Sequence, residues 1–301
     1  LSSSPSADIS NQTTRALLSG LVAFTLWGIS PVYFKQVAYL DPIEVLAHRV
    51  IWSFIMLTVI VLLMGQLDIT QRIFKNPKLL LKLIVSSLLI GVNWLTFIWA
   101  ITNNQIVEIS LGYYLNPIVS VILAMIFLKE NLSRLQWLAV GLASLGVLWQ
   151  IVTLGRLPMV SITLALSFGL YGLIRKTIAP PVVPGLLVEK LVMLPLALGW
   201  VFWLYSQGES SFSLNAPSTM GWLILAGVIT LAPLLLFTSA APHLRLTTLG
   251  FLQYIGPSIS LCLGVMLYKE PFGQSIQISF AFIWLALVFF SADASLQKRK
   301  A

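Results

Sequence analysis

Charge is what this chain has least of. Asp, Glu, Lys and Arg make up 9% of its 301 residues, where a soluble domain carries roughly 25%. That scarcity excludes a water-facing surface. Cysteine is nearly absent as well: Cys262 stands alone inside an apolar run. An intramolecular disulfide is therefore excluded, and Cys262 reads as a small packing residue. The histidines are two, His48 and His243, too few for a Cys/His metal cluster. HExxH, GxSxG and GxxxxGK[ST] are missing, so metal hydrolysis, serine chemistry and nucleotide-driven pumping have no visible machinery. No cofactor is expected.

What the chain has is hydrophobic length. Hydrophobic residues make up 58% of it, and the mean hydropathy is +0.92. A bilayer-spanning helix takes roughly 20 apolar residues. The apolar runs predict ten spans, at 16–37, 42–64, 79–102, 107–128, 134–153, 158–175, 185–206, 219–240, 246–268 and 272–292. A β-barrel would instead alternate apolar and polar residues with period two. The expected fold class is an all-α polytopic membrane protein with ten transmembrane helices. Residues 1–15 are polar and lack a basic n-region, so they read as a disordered tail rather than a signal peptide. Residues 293–301 read as a basic tail.

The net charge is +8, and its distribution sets a topology. With the N-terminus inside, the inner face receives Arg15, Arg72, Lys75, Lys78, Lys82, Lys129, Arg134, Arg175, Lys176, Arg245, Lys298, Arg299 and Lys300. The outer face keeps Lys35, Arg156 and Lys269. The positive-inside rule then places both termini in the cytoplasm. The basic excess is used up by topology, so no nucleic-acid partner is expected.

A repeat divides the chain in two. YLNPIVSVILAMIFLKE at 114–130 is echoed by YIGPSISLCLGVMLYKE at 254–270. Tyr114, Pro117, Lys129 and Glu130 recur as Tyr254, Pro257, Lys269 and Glu270 at one constant offset. Two five-helix units follow, 16–153 and 154–292. Five is odd, so the second unit inserts upside down, the inverted-repeat architecture common among secondary transporters.

Each unit carries ionisable residues early in its second span. In the first, EVLAHRVIWS (44–53) holds Glu44, His48 and Arg49; in the second, VPGLLVEKLVML (183–194) holds Glu189 and Lys190. A charge inside a span costs about 2.5–3.5 kcal/mol at the helix centre, so it faces the bundle interior or a wet cavity. Arg49 and Lys190 are expected at the two ends of one central cavity, where they would bind substrate. Glu44 reads as a partner of His48 near the span end. His48 and Glu189 are coupling candidates, although Glu189 could equally pair with Lys190 or Arg175. Asn93, Trp94, Tyr114, Asn116 and Tyr254 are further substrate-binding candidates, with Trp99 and Phe251 as aromatic lining. Asn116-Pro117 and Gly256-Pro257 are expected helix irregularities, because proline removes a backbone donor.

LAHRVIWS (46–53), NWLTFIWA (93–100), EISLGYYLNP (108–117) and TLGFLQYIGPSI (248–259) resemble the RarD family of the EamA-type drug/metabolite transporter superfamily. The resemblance covers nearly the whole chain after its first residues. It implies a ten-helix secondary transporter of a bacterial inner membrane, an exporter of small organic metabolites or drugs. It maps the family's motifs onto His48 and Arg49, Asn93 and Trp94, and Gly112 to Pro117.

Together these readings predict alternating access, with a small-molecule site between spans 1–4 and 6–9. Two cations would favour a carboxylate and the aromatics an apolar body, as in amino-acid-like or aromatic metabolites. The partners are that substrate and the lipid bilayer; proton or counter-substrate coupling, and monomer or homodimer, stay open. An intramembrane enzyme, a membrane sensor and a passive channel are the competing classes.

Overall fold

The computed structural model describes residues 5–103, 105–155, 158–269 and 273–300. Arg156 and Glu270 lie outside them, and so do the side chains of Lys298, Arg299 and Lys300. Among the described residues every regular element is a helix: α1 (Pro5–Gln36), α2 (Pro42–Leu63), α3 (Leu67–Lys75), α4 (Pro77–Thr102), α5 (Ile106–Leu128), α6 (Arg134–Leu154), α7 (Met159–Ile178), α8 (Val182–Gln207), α9 (Pro217–Ala240), α10 (Leu246–Leu252), α11 (Ile255–Cys262), a π-turn (Leu263–Leu267) and α12 (Gln274–Lys300). Ten segments are long and apolar enough to cross a membrane, the ninth being α10, α11 and the π-turn together. The protein is an all-α multi-pass membrane protein.

Local chemistry sets the helix ends. Asp41 accepts a 2.7 Å hydrogen bond from the Glu44 amide, and Pro42 takes the first helical position of α2; both suit a helix start, where amides lack partners. Ser133 and Gln136 form a reciprocal capping box on α6. α8 stops at Gly208, whose φ of 72° a side chain would resist.

Several expectations are corrected here. α1 begins at Pro5, inside the stretch 1–15 expected as a disordered tail, while the basic tail expected at 293–301 is helical as far as Lys300. α7 continues past Arg175 and Lys176 to Ile178, because the buried Arg175 is neutralised inside the bundle rather than marking its edge. α5 runs unbroken through Asn116-Pro117. Neighbours support it there: the Tyr254 hydroxyl donates to the Tyr114 carbonyl at 3.3 Å. The interruption in the ninth span falls at Gln253-Tyr254, ahead of Gly256-Pro257, which both belong to α11. The stretch between the second and third spans contains a further helix, α3, which hydropathy did not predict.

The helices pack across the halves. α1 lies on α9 and α11, while α7 lies on α4 and α5; α2 meets α8 and α9, and α8 meets α4 as well. α6 and α12 pair with each other at one side. Exchanging first-half spans for second-half spans reproduces this set of contacts. Two tight approaches follow it too. A Cβ on Gly28 would stand 2.8 Å from the Ile259 side chain, and one on Gly169 would stand 2.9 Å from Val119. Large apolar side chains such as Leu196 (80% exposed) and Phe202 (74%) cover the outside, as a lipid-facing wall requires.

Candidate functional site

The centre of the bundle is built on one indole. Trp94 of α4 is buried, and two cations stand over its ring. The Arg49 guanidinium of α2 is 4.6 Å from the ring centroid and the Lys190 ammonium of α8 is 4.1 Å from it. Indole presents a negative π face, so each contact is favourable. Arg49 and Lys190 therefore converge instead of marking opposite ends of a cavity. The geometry explains why. Each residue sits seven or eight positions into its span, ~11–12 Å along the axis at ~1.5 Å per residue, and a long side chain covers the rest of the way to the middle.

Arg49 is held by its inner nitrogen and left open at its outer ones. Its Nε donates to Thr230 Oγ1 of α9 at 2.8 Å. The terminal nitrogens make no hydrogen bond among the described residues. Aromatic rings surround them. Phe34 lies 5.4 Å below the guanidinium carbon, and Phe97 stands 6.4 Å from Phe34 and 6.3 Å from Tyr113 between ring centroids. Tyr33 and Tyr113 are within electrostatic reach of Arg49. Tyr113 keeps 40% of its surface accessible.

The seam between α2 and α9 aims this arginine. Ser53 donates to the Gly227 carbonyl at 3.2 Å, one turn along from the Arg49–Thr230 contact. A Cβ on Gly227 would stand 2.6 Å from the Trp52 Cβ, so only glycine permits this approach. Thr230 and Gly227 were missed from sequence, since a G-x-x-T in an apolar helix looks like ordinary packing.

Lys190 is fully buried, and its ammonium has no hydrogen-bond acceptor among the described residues. The adjacent Glu189 does not supply one. Its carboxylate accepts from Ser86 at 2.7 Å and Arg175 at 3.2 Å, and lies 3.5 Å from the Tyr171 hydroxyl. Arg175 and Glu189 form an ion pair with both side chains 1% exposed. Of the two partners open to Glu189, the structure selects Arg175. Glu189 thus ion-pairs with Arg175 and leaves Lys190 with electrostatic attraction but no hydrogen bond among the described residues.

The other expected site residues are elsewhere. Asn93 donates to the Leu164 carbonyl at 2.9 Å and to Ser167 at 3.0 Å, fastening α4 to α7. His48 faces away from Trp94 and stacks on Phe212 at 4.9 Å. Glu44 does not bond His48; it accepts from Ser210 Oγ at 3.0 Å and the Ser211 amide at 2.8 Å. Tyr114 packs edge-on against Phe280 at 5.0 Å, and Tyr254 and Phe251 share that second cluster beside α6 and α12. Asn116 is buried on α5, with Oδ1 unpartnered among the described residues. Trp99 is 49% exposed. Of the expected set, Arg49, Trp94 and Lys190 come together. Glu130 proves to be a cap, accepting the Leu246 and Thr247 amides at the start of α10 at 2.7 and 3.1 Å.

Comparison with known proteins decides the family. Residues 14–152, the first five spans, match the EamA-like transporter family. Protein RarD of Salmonella typhi is 46% identical over 289 residues, covering 96% of this chain and 98% of that one. The chain belongs to the RarD family. A chain of Vibrio cholerae described as an uncharacterized transporter is 46% identical over 279 residues, covering 93% of this chain and 92% of that one. A crystal structure 18% identical superposes with a TM-score of 0.71 over 92% of this chain and 96% of the other, which shows a shared fold. This RarD-family chain is a membrane transporter, and its paired cations over Trp94 lie in the middle of that fold.

Proposed function

We propose that the chain is a secondary transporter that exports small organic carboxylates with an apolar or aromatic body, amino-acid-like metabolites among them, by alternating access. The observation that carries this reading is the convergence of Arg49 and Lys190 on Trp94 with neither ion-paired to a carboxylate among the described residues. A buried cation without a counter-charge is costly. A substrate carboxylate would relieve it, and the terminal nitrogens of Arg49 offer the planar fork that binds carboxylates in bidentate fashion. Phe34, Phe97 and Tyr113 would flank the rest of the molecule.

The swap-symmetric contacts, above all Gly28 on Ile259 and Gly169 on Val119, support the two inverted five-helix units that alternating access uses. The charge distribution supports an inner-membrane placement with both termini in the cytoplasm. Glu44 and Glu189 are both committed as acceptors within the protein, which favours transport over intramembrane acid–base chemistry.

The test is extracellular metabolite profiling of bacteria expressing the wild type, Arg49→Ala at matched membrane levels, or an empty vector. Carboxylates enriched outside with the wild type alone are the expected result. Wild-type profiles equal to the vector's would remove the exporter reading, and equal enrichment by Arg49→Ala would remove Arg49 from the site.

A further inference from the structure

The helix α3 divides its surface three ways. Thr70 and Ile73 are buried, and Ile73 joins Leu83 of α4 and Val188 of α8 in one apolar cluster. Leu67 and Phe74, two turns apart on a neighbouring edge, remain 48% and 44% exposed. Asp68, Arg72 and Lys75, spaced at i, i+4 and i+7, occupy a third edge. Lys78 and Lys82 extend the basic edge onto the first turns of α4. The stretch 67–82 thus sets four exposed cations against the single Asp68. None of the four is ion-paired or hydrogen-bonded among the described residues.

Position completes the argument. α3 starts four residues after Leu63, the last residue of the second span and 82% exposed, and ends just before Pro77, where the third span begins. It therefore crosses the end of the bundle at the depth where spans emerge from lipid. A short helix there, with an apolar edge beside a basic edge, has the build of an interfacial helix: the first enters the acyl boundary and the second meets the headgroups. A zwitterionic headgroup would leave four cations without net counter-charge, whereas an anionic one compensates them, at about 1 kcal/mol per basic residue.

We infer that α3, with Lys78 and Lys82, is a binding surface for anionic phospholipid headgroups. The surface is joined to the transporter's interior. The cluster of Ile73, Leu83 and Val188 connects it to the turn of α8 that carries Glu189, so lipid seated on α3 braces the end of the bundle closed by Arg175 and Glu189. This inference does not depend on the substrate.

The experiment is thermal unfolding and native mass spectrometry of purified full-length protein in dodecyl maltoside, titrated with phosphatidylglycerol, phosphatidylcholine or soluble glycerol phosphate. Phosphatidylglycerol is expected to remain bound and raise Tm by several degrees; the other two are expected to leave it unchanged. Arg72→Gln/Lys75→Gln should raise the half-saturating phosphatidylglycerol concentration about thirtyfold, from about fivefold per cation. Added salt should act in the same direction. Leu67→Ser/Phe74→Ser should weaken the same lipid without lowering the lipid-free Tm, since both side chains are on the outside. An equal shift with phosphatidylcholine, or unaltered lipid affinity in the Arg72/Lys75 variant, would overturn the inference. A full shift with glycerol phosphate would overturn it too, by assigning the cations to free phosphate.

Discussion

The two ends of the central layer are closed by different means. At the α3 end, Arg175, Glu189, Ser86 and Tyr171 form a buried polar knot. At the other end, where α8 turns into α9, Phe34 lies under Arg49, Phe212 stacks on His48, and Glu44 ties down Ser210 and Ser211. These ends occupy matching places at the offset that relates the two halves of the sequence. Phe34 and Arg175 are 141 positions apart, as are His48 and Glu189, and Arg49 and Lys190. One half has kept its ionisable residues for an internal ion pair, and the other has put aromatic rings in the corresponding positions. The backbone arrangement is shared, while the forces that hold each end closed are not. An ion pair in a dry interior is all-or-none, since removing one partner strands the other; stacked rings lose contact by degrees.

Breaking the polar knot should have the largest effect. Arg175→Met leaves Glu189 uncompensated and is expected to cost about 3–5 kcal/mol, read as a fall in Tm in detergent. Arg175→Met/Glu189→Gln should recover most of it. If Arg175→Met cost no more than Phe212→Ala, the two ends would be held alike and the contrast would fail.

A pair of glycine variants sharpens the shared backbone. Gly28→Ala and Gly169→Ala each force a methyl group to within 3 Å of a side chain of the opposing helix, and each should cost about 1–3 kcal/mol. Near-equal losses in a side-by-side melt would fit matched halves. A one-sided loss would show that only one seam is tight.

Thr230→Val keeps the shape of the side chain and removes the acceptor for Arg49 Nε. A charge-assisted hydrogen bond of this kind implies roughly tenfold weaker transport, with Thr230→Ser close to wild type. In an Arg49→Ala background the valine should change nothing further, which a double-mutant comparison of efflux would read. The smallest effect belongs to Phe212→Ala: the lost stack on His48 is worth about 1 kcal/mol, and the expected change in Tm is correspondingly slight.

How much of this was legible beforehand depended on whether a signal was local. The spans were, because a run of apolar residues between polar ones is all that hydropathy needs. So was the internal similarity, since Tyr114 and Pro117 return as Tyr254 and Pro257 at one offset. Trp94, Arg49 and Lys190 were each noticed, but their meeting at one ring depends on three helices approaching one another, which no spacing encodes. Arg175 misled for a related reason. A charge beside a lysine at the end of an apolar run normally marks water, and here its counter-charge came from another helix. α3 was missed because nine residues of mixed character carry no hydropathy of their own; it is the docking of Ile73 that makes them a helix with sides. Tyr114 and Tyr254 do touch, but in the cluster beside α6 and α12 rather than at the expected site, since a sequence offset pairs residues without saying what lies between them.

The interruption at Gln253-Tyr254 has a mechanical counterpart. The fourth span, α5, is one continuous helix from Ile106 to Leu128 whose ladder misses only the bond that Pro117 cannot donate, so a displacement at one end is carried largely intact to the other. The ninth span is jointed between α10 and α11 and loosened again by the π-turn at Leu263–Leu267, so part of any axial push is absorbed along the way. A bundle with a stiff strut on one side and a jointed one on the other cannot rock symmetrically. If the protein works by the alternating access proposed above, it would pivot on α5 and flex along α10 and α11, and the stroke that opens one face would not mirror the stroke that opens the other.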